Sequence, residues 1–336
     1  MAEKAKKKKV VDSGSAKGQQ ITMLFVILAI CIIWTIMSEY FLTVDNWVNI
    51  VHTMCVTTVA GYAMTICLIN GGVDLSLGYT ICFSGITAAM VVYDFYGKKD
   101  SSGSIPIGLA VGIGTGIVVG LVNGIVVARL GLPPYLSTLA MQMVLKGLAY
   151  LLPGLGPVYI STSSRYRDLA QTRIGGVIPV TFIYVVAFGL MLWFFMRKTV
   201  LGRRFYAIGS NTEAARLSGI NVTSTRICAY VVTSMMAAVA GVLQSSRVNV
   251  GSQTNGVGME GDATVAAVIG GTSMGGGHGS LFGCIIGGLF MTLLKNGMNL
   301  LNINANWQFV LIGIFLVISV VVDTIRRERE MSKLDV

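Results

Sequence analysis

Gly108, Gly112, Gly116, Gly120 and Gly124 fall on every fourth position of an apolar stretch that carries no charge from Ser101 to Ala128. In an aqueous helix each glycine costs about 1 kcal/mol relative to alanine, so a soluble helix does not carry such a run. In a bilayer the same spacing lays a smooth stripe along one face, on which a neighbouring helix packs at backbone distance. The stripe predicts a tightly packed bundle of membrane helices with these five glycines as packing contacts.

Composition agrees. The chain is 54% hydrophobic and 12% charged, with a mean hydropathy of +0.72, where a soluble domain carries roughly 25% charged residues. Apolar runs near the length needed to cross a hydrocarbon core of about 30 Å fall at 21–38, 47–69, 79–95, 105–128, 135–152, 179–196, 227–246, 262–271, 281–300 and 307–323. The expected fold is therefore an all-α polytopic membrane protein of about ten spans, some broken by Gly or Pro. Its parts are a basic arm over 1–20, a membrane domain over 21–323 and a tail over 324–336.

The net charge of +10 is not gathered into a nucleic-acid-binding face; it is sorted by membrane side. If the chain starts inside, the cytoplasmic segments hold six Lys/Arg before residue 21, Arg129, six more from Arg197 to Arg226 and four from Arg326 onward. The opposite side holds fewer, among them Lys98, Lys99, Arg165, Arg167 and Arg173. That asymmetry follows the positive-inside rule and, with ten spans, puts both termini in the cytoplasm. The arm faces the anionic inner leaflet as a topology anchor. No small-residue cleavage site follows 21–38, which is expected to be a retained span. The six cysteines sit in apolar segments without metal-ligand spacing, as packing residues.

Two Gly-rich stretches interrupt the apolar pattern: GGVDLSLG at 71–78, where Asp74 is placed to cap the resuming helix, and GGTSMGGGHGS at 270–280. Such breaks are acceptable at membrane depth only inside protein or beside a wet cavity. INGG at 69–72 and VIGG at 268–271 both end spans that run inward, a faint internal repeat. Pro133 and Pro134 open the fifth span, where their missing amide donors cost nothing, and the polar loop 153–178 is long enough for a short surface helix.

The largest cytoplasmic loop, 197–226, contains SNTEAARLSG at 210–219. Ser210 and Glu213 have capping-box spacing, Ala214 and Ala215 favour helix, and Gly219 suits a C′ position. A short capped helix presented to the cytoplasm is expected, shaped to dock a partner.

Ionisable groups at membrane depth face a cavity or a counter-charge. Lys146 lies about ten residues into its span, near the midplane by helix rise. Its candidate counter-charges are Asp74, Glu260 and Asp262, and an ion pair between spans is favoured over direct contact with a transported molecule. Asn70, Asp74, Ser76, Lys146, Glu260 and Asp262 are the candidates for lining a pathway. GVGMEG at 256–261 fits a dinucleotide fingerprint by spacing alone, without the strand and helix that chemistry needs, and no phosphate-cradling G-x-x-x-x-G-K-[ST] occurs. His52 and His278 lack companion ligands, so neither catalysis nor a metal site is expected.

Taken in order, GGVDLSLG, NGxxxARL at 123–130, Glu260-Gly-Asp262-Ala263 and GGTSMGGGHGS resemble the signatures of the inner-membrane permeases of ribose/galactose/xylose-type sugar ABC importers. The resemblance covers nearly all of the chain from residue 21. Gly261 stands where that family usually has leucine, and His278 where arginine is common. Glu213-Ala214-Ala215 followed by Gly219 resembles the EAA coupling loop, which inserts into a cleft of the ATPase subunit. The resemblance implies a transport subunit of the bacterial plasma membrane that does no chemistry and forms half of a dimeric pathway. It also implies a separate ATPase carrying ATP and Mg, an extracytoplasmic sugar-binding protein and a second permease copy as partners. Nucleosides or branched-chain amino acids are alternative cargoes, and an ion-coupled secondary transporter is the alternative class.

Overall fold

A computed structural model describes residues 21–94, 104–160, 164–176 and 178–332; the basic arm over 1–20 lies outside them. Helix α1 (Ile21–Met37) leads to α2 (Val44–Ile69), α3 (Leu77–Asp94), α4 (Ser104–Ala128) and α5 (Pro134–Leu151). Strand β1 (Val158–Tyr159), α6 (Ser164–Gln171), β2 (Arg173–Ile174) and β3 (Ile178–Pro179) form the following loop. Then come α7 (Val180–Lys198), α8 (Val200–Ser210), α9 (Thr212–Leu217), α10 (Val222–Val248), β4 (Val250–Gly251), α11 (Met259–Ile269), α12 (Leu281–Leu300) and α13 (Asn306–Ser332).

A helix stands at each of the ten apolar runs. Six are long and apolar enough to cross a membrane: α2, α4, α7, α10, α12 and the 306–325 part of α13. The others, α1, α3, α5 and α11, are shorter or more polar. Helix α11 has 11 residues because Gly270 and Gly271 stop it.

The axis of the bundle is α2. Every residue from Met54 to Asn70 is buried, as a helix apolar on all faces requires, and α7, α10, α11 and α12 pack around it. Its start is fixed by Thr43, whose hydroxyl accepts from Asn46 N at 3.4 Å. Asn221 caps α10 by accepting from Ser224 N at 3.0 Å, and Ser280 caps α12 by accepting from Gly283 N at 2.9 Å. The two-proline entry to α5 is found at Pro133–Pro134.

The glycine stripe packs inside this one chain. Gly108 and Gly112 meet α3, where an added methyl would lie 3.0 Å from Ala88 O and 3.0 Å from Ser84 O respectively. Gly116, Gly120 and Gly124 meet α10: the same methyl would lie 2.5 Å from Ser234 O, 2.5 Å from Tyr230 O and 2.8 Å from Ile227 Cα. Gly114, on the other face of α4, has nothing within 4 Å. Spacing every fourth residue thus separates the contact face from a free one.

The 153–178 loop holds the short helix expected of it. Tyr166 of α6 is fully buried against α10; its hydroxyl lies 2.6 Å from Ser245 Oγ, and Ser246 Oγ donates to Tyr166 O at 2.5 Å. Burial pushes the Tyr166 phenol well above its ordinary pKa. Strand β1 pairs antiparallel with β4, which ties the loop to the end of α10.

Gly116→Leu and Gly120→Leu are expected to abolish accumulation of the protein in the membrane, because a bulky side chain holds α10 off by several Å. Gly114→Leu is expected to accumulate normally. Quantitative immunoblotting of membrane fractions checks the contrast.

Candidate functional site

Both Gly-rich stretches are helix breaks built on one local geometry. At the end of α2, Gly71 N donates to Leu68 O at 2.8 Å and Gly72 N to Cys67 O at 3.0 Å. At the end of α11, Gly271 N donates to Val268 O at 2.9 Å and Thr272 N to Ala267 O at 2.9 Å. These are matching Schellman ends, and each needs a left-handed residue, supplied by Gly71 at φ +79° and Gly271 at φ +95°. The INGG/VIGG repeat therefore encodes a shared stop.

The first break is enclosed by other helices. Asp74 is fully buried; one carboxyl oxygen accepts from Ser76 N at 2.9 Å and Ser76 Oγ at 2.5 Å, and the other from Ser234 Oγ of α10 at 3.4 Å. Asn123 of α4 donates to Ser76 Oγ at 3.0 Å, and Thr138 of α5 accepts from Leu75 N at 3.1 Å. The helix expected to resume at Leu75 begins at Leu77, because Asp74 holds the Ser76 amide in a turn ahead of it. Asn70 and Ser76 are buried with it, at 2% and 0% exposure.

The second break is held from outside its own segment. Asp323 of α13 accepts from Ser273 Oγ at 3.0 Å and from Met274 N at 3.0 Å. Ser273 N donates to His278 O at 3.1 Å, closing the loop. The two breaks also meet each other: Gly277 N donates to Ile69 O at 2.9 Å.

The end of α8 lies on that meeting point. An added methyl on Gly276 would sit 2.8 Å from Gly209 O and 3.0 Å from Gly71 Cα, and one on Gly277 would sit 2.8 Å from Ser210 Cα. Ser210 is the last residue of α8 and does not cap the next helix. Asn211 does, accepting from Ala214 N at 2.9 Å. The expected Ser210–Glu213 capping box is corrected by this shift of one residue, because α8 runs one residue further than the motif allows. Glu213 instead lies 3.7 Å from Arg216 across the exposed face of α9. Ala214 is exposed and Ala215 buried. The far end is as expected: Gly219, at φ +78°, donates to Arg216 O at 3.0 Å, and Ile220 N donates to Ala215 O at 3.1 Å. At the tip, Leu217 is 89% exposed.

The expected partners of Lys146 are corrected. Lys146 is exposed on α5 and forms no ion pair among the described residues, because α5 packs on α3 and α4 through its other face. Asp262 pairs instead with Lys295 of α12, while Glu260 lies over Gly78 in the first turn of α11. Lys295 was open to discovery, since it is the lone charge of the run 281–300. It is missed when the run is read for length alone. His52 is buried, 3.1 Å from Thr181 Oγ1, and no cluster of metal ligands occurs among the described residues.

Asp262→Asn or Lys295→Met alone is expected to destabilise the protein by somewhat less than the ~3–5 kcal/mol of a fully enclosed pair, since Lys295 keeps 26% of its side chain exposed. The double variant is expected closer to wild type than either single one. Thermal denaturation in detergent, followed by fluorescent size-exclusion chromatography, checks the order.

Residues 46–320 match the family described as branched-chain amino acid transport system / permease component. The chain is 34% identical over 295 residues to the ribose import permease of Bacillus subtilis strain 168, covering 87% of this chain and 88% of that one. It is 30% identical over 309 residues to the ribose import permease of Escherichia coli K12, covering 91% and 93%. To the L-arabinose transport system permease of the same strain it is 32% identical over 315 residues, covering 93% of each. No solved structure matches. With a family match over most of its length and relatives aligned nearly end to end, the chain belongs to this family of transport permeases and is a multi-pass membrane protein.

Proposed function

We propose that the chain is one half of the translocation pathway of an ABC importer for a monosaccharide, in the bacterial plasma membrane. What carries the cargo assignment is the end-to-end similarity to permeases named for ribose and arabinose. ATP and Mg are bound and used by a separate ATPase subunit, and an extracytoplasmic binding protein delivers the sugar. A second permease copy completes the pathway.

The topology proposed is ten crossings with both termini cytoplasmic, supported by the sorting of Lys and Arg and by a helix at every apolar run. The basic arm over 1–20, the membrane domain over 21–323 with its coupling loop at 197–226, and the tail over 324–336 are the corresponding parts. Helix α9 docks the ATPase: Asn211 and Gly219 fix its two ends, and Leu217 presents an exposed apolar side chain to the cleft. Ser210, Glu213, Ala214 and Ala215 shape its base and first turn. Lys146 is proposed to face the pathway or the second copy, because an ammonium in the middle of α5 is costly against lipid. Glu260 and Asp262 belong to the pathway's outer end, and Asn70, Asp74 and Ser76 to the support of its inner end.

The test is reconstitution with the cognate ATPase and binding protein in proteoliposomes. Uptake of a labelled pentose or hexose is expected only when ATP and binding protein are both present; uptake driven by an ion gradient without ATP would overturn the assignment. On a background lacking the native cysteines, Asp168→Cys is expected to react with an impermeant thiol reagent in intact cells. Ser218→Cys is expected to react only after permeabilisation.

A further inference from the structure

The residue that sits where three backbones meet is Gly209, one turn before the proposed docking helix. A methyl placed on it would strike Ile69 O of the first break and would lie 2.6 Å from Gly277 N of the second. Those two atoms are the donor and acceptor of the 2.9 Å hydrogen bond that joins the breaks. The end of α8 therefore rests on the single backbone bond between the α2–α3 and α11–α12 segments. The adjoining positions are equally bare: Gly71 and Gly276 bring only backbone to the contact. Asp323 holds the second break from behind through Ser273 and Met274.

We propose that Gly209 is a positioning residue for energy coupling, and that the Ile69–Gly277 bond beneath it makes α8 push on both broken-helix segments at once. A force on α9 travels through α8, which is joined to it through Asn211 and by Thr212 Oγ1 donating to Ile208 O at 3.0 Å. At Gly209 the atoms that force meets first are main-chain atoms of Ile69 and Gly277. Backbone contacts do not change rotamer, so a displacement of α8 shifts Ile69 and Gly277 together. Asp323 keeps the second break from yielding locally. This inference rests on the proposed docking of an ATPase at α9.

The decisive variant is Gly209→Ala. Alanine favours the helical state over glycine, so α8 itself is not weakened, and any effect arises from the contact. In the complex reconstituted with its ATPase and binding protein, Gly209→Ala is expected to assemble and hydrolyse ATP. Sugar transported per ATP should fall by about fivefold or more, the lower end of measured coupling between sites. Asp323→Ala is expected to move in the same direction, with Asp323→Asn milder because an amide oxygen still accepts from Met274 N. Asp323→Ala also keeps the proposal testable if Gly209→Ala does not accumulate. Leu217→Asp serves as the separate control, expected to lose co-purification with the ATPase. If Leu217→Asp abolishes association while Gly209→Ala and Asp323→Ala both keep wild-type transport per ATP, the positioning role is wrong and the docking helix stands. If Leu217→Asp leaves association intact, the docking assignment fails as well.

Discussion

A helix that stops and restarts within a packed bundle must find new partners for its stranded amides and carbonyls, and this one requirement organises the bundle. At the second break every amide from Gly270 to Gly277 has an acceptor: three within the end of α11, the others on His278 O, Asp323, Ser273 and Ile69 O. A segment containing Gly270, Gly271, Gly275, Gly276 and Gly277 would be slack in solution. Here it is tied at each step, and its last tie is to the other break. The first break is solved differently, with Asp74 as internal acceptor and side chains of α4, α5 and α10 closing the cluster. Burying a carboxyl group is costly unless it is hydrogen-bonded, and three donors converge on this one.

The glycines follow from the same constraint. For backbone to satisfy backbone across helices, side chains must be out of the way. The stripe on α4 lets α10 approach until Tyr230 O and Ser234 O lie where methyls would otherwise stand. On α12, Gly283 and Gly287 do the same toward Gly270 and Ala266 of α11. Lys295 and Asp262 join the same two helices near the opposite end. Close approach at one end and an ion pair at the other fix the α11–α12 hairpin without a long apolar α11.

Most of this architecture was legible in the residues. The ten apolar runs coincide with helices, the prolines open α5, and Gly219 ends α9 because left-handed backbone favours glycine strongly enough to be read from position alone. Three things were not legible. The Ser210 box failed against Asn211 because two adjacent polar residues compete for one cap, and where α8 stops decides the winner. Lys146 was assigned partners by depth along its own helix, whereas pairing depends on which face α5 turns to its neighbours. The junction of Ile69, Gly209 and Gly277 joins three segments far apart in sequence through main-chain atoms. Backbone contacts leave no residue type behind except glycine, and glycine has many other uses.

If the two breaks and α8 form one body, then distances within it stay fixed while the body moves against the rest of the bundle. Pulsed electron paramagnetic resonance on the reconstituted complex, cysteine-free apart from the labelled sites, measures this directly. One pair of spin labels goes on Ser218, beside α9, and Thr324, next to the Asp323 tie. The other goes on Ser218 and Asp168 of α6. Between the nucleotide-free and ATP-trapped states the first distance is expected to hold its mean and width while the second shifts. A first distance that changes or broadens, with the second unchanged, would contradict a rigid junction and leave α8 moving independently of the breaks it covers.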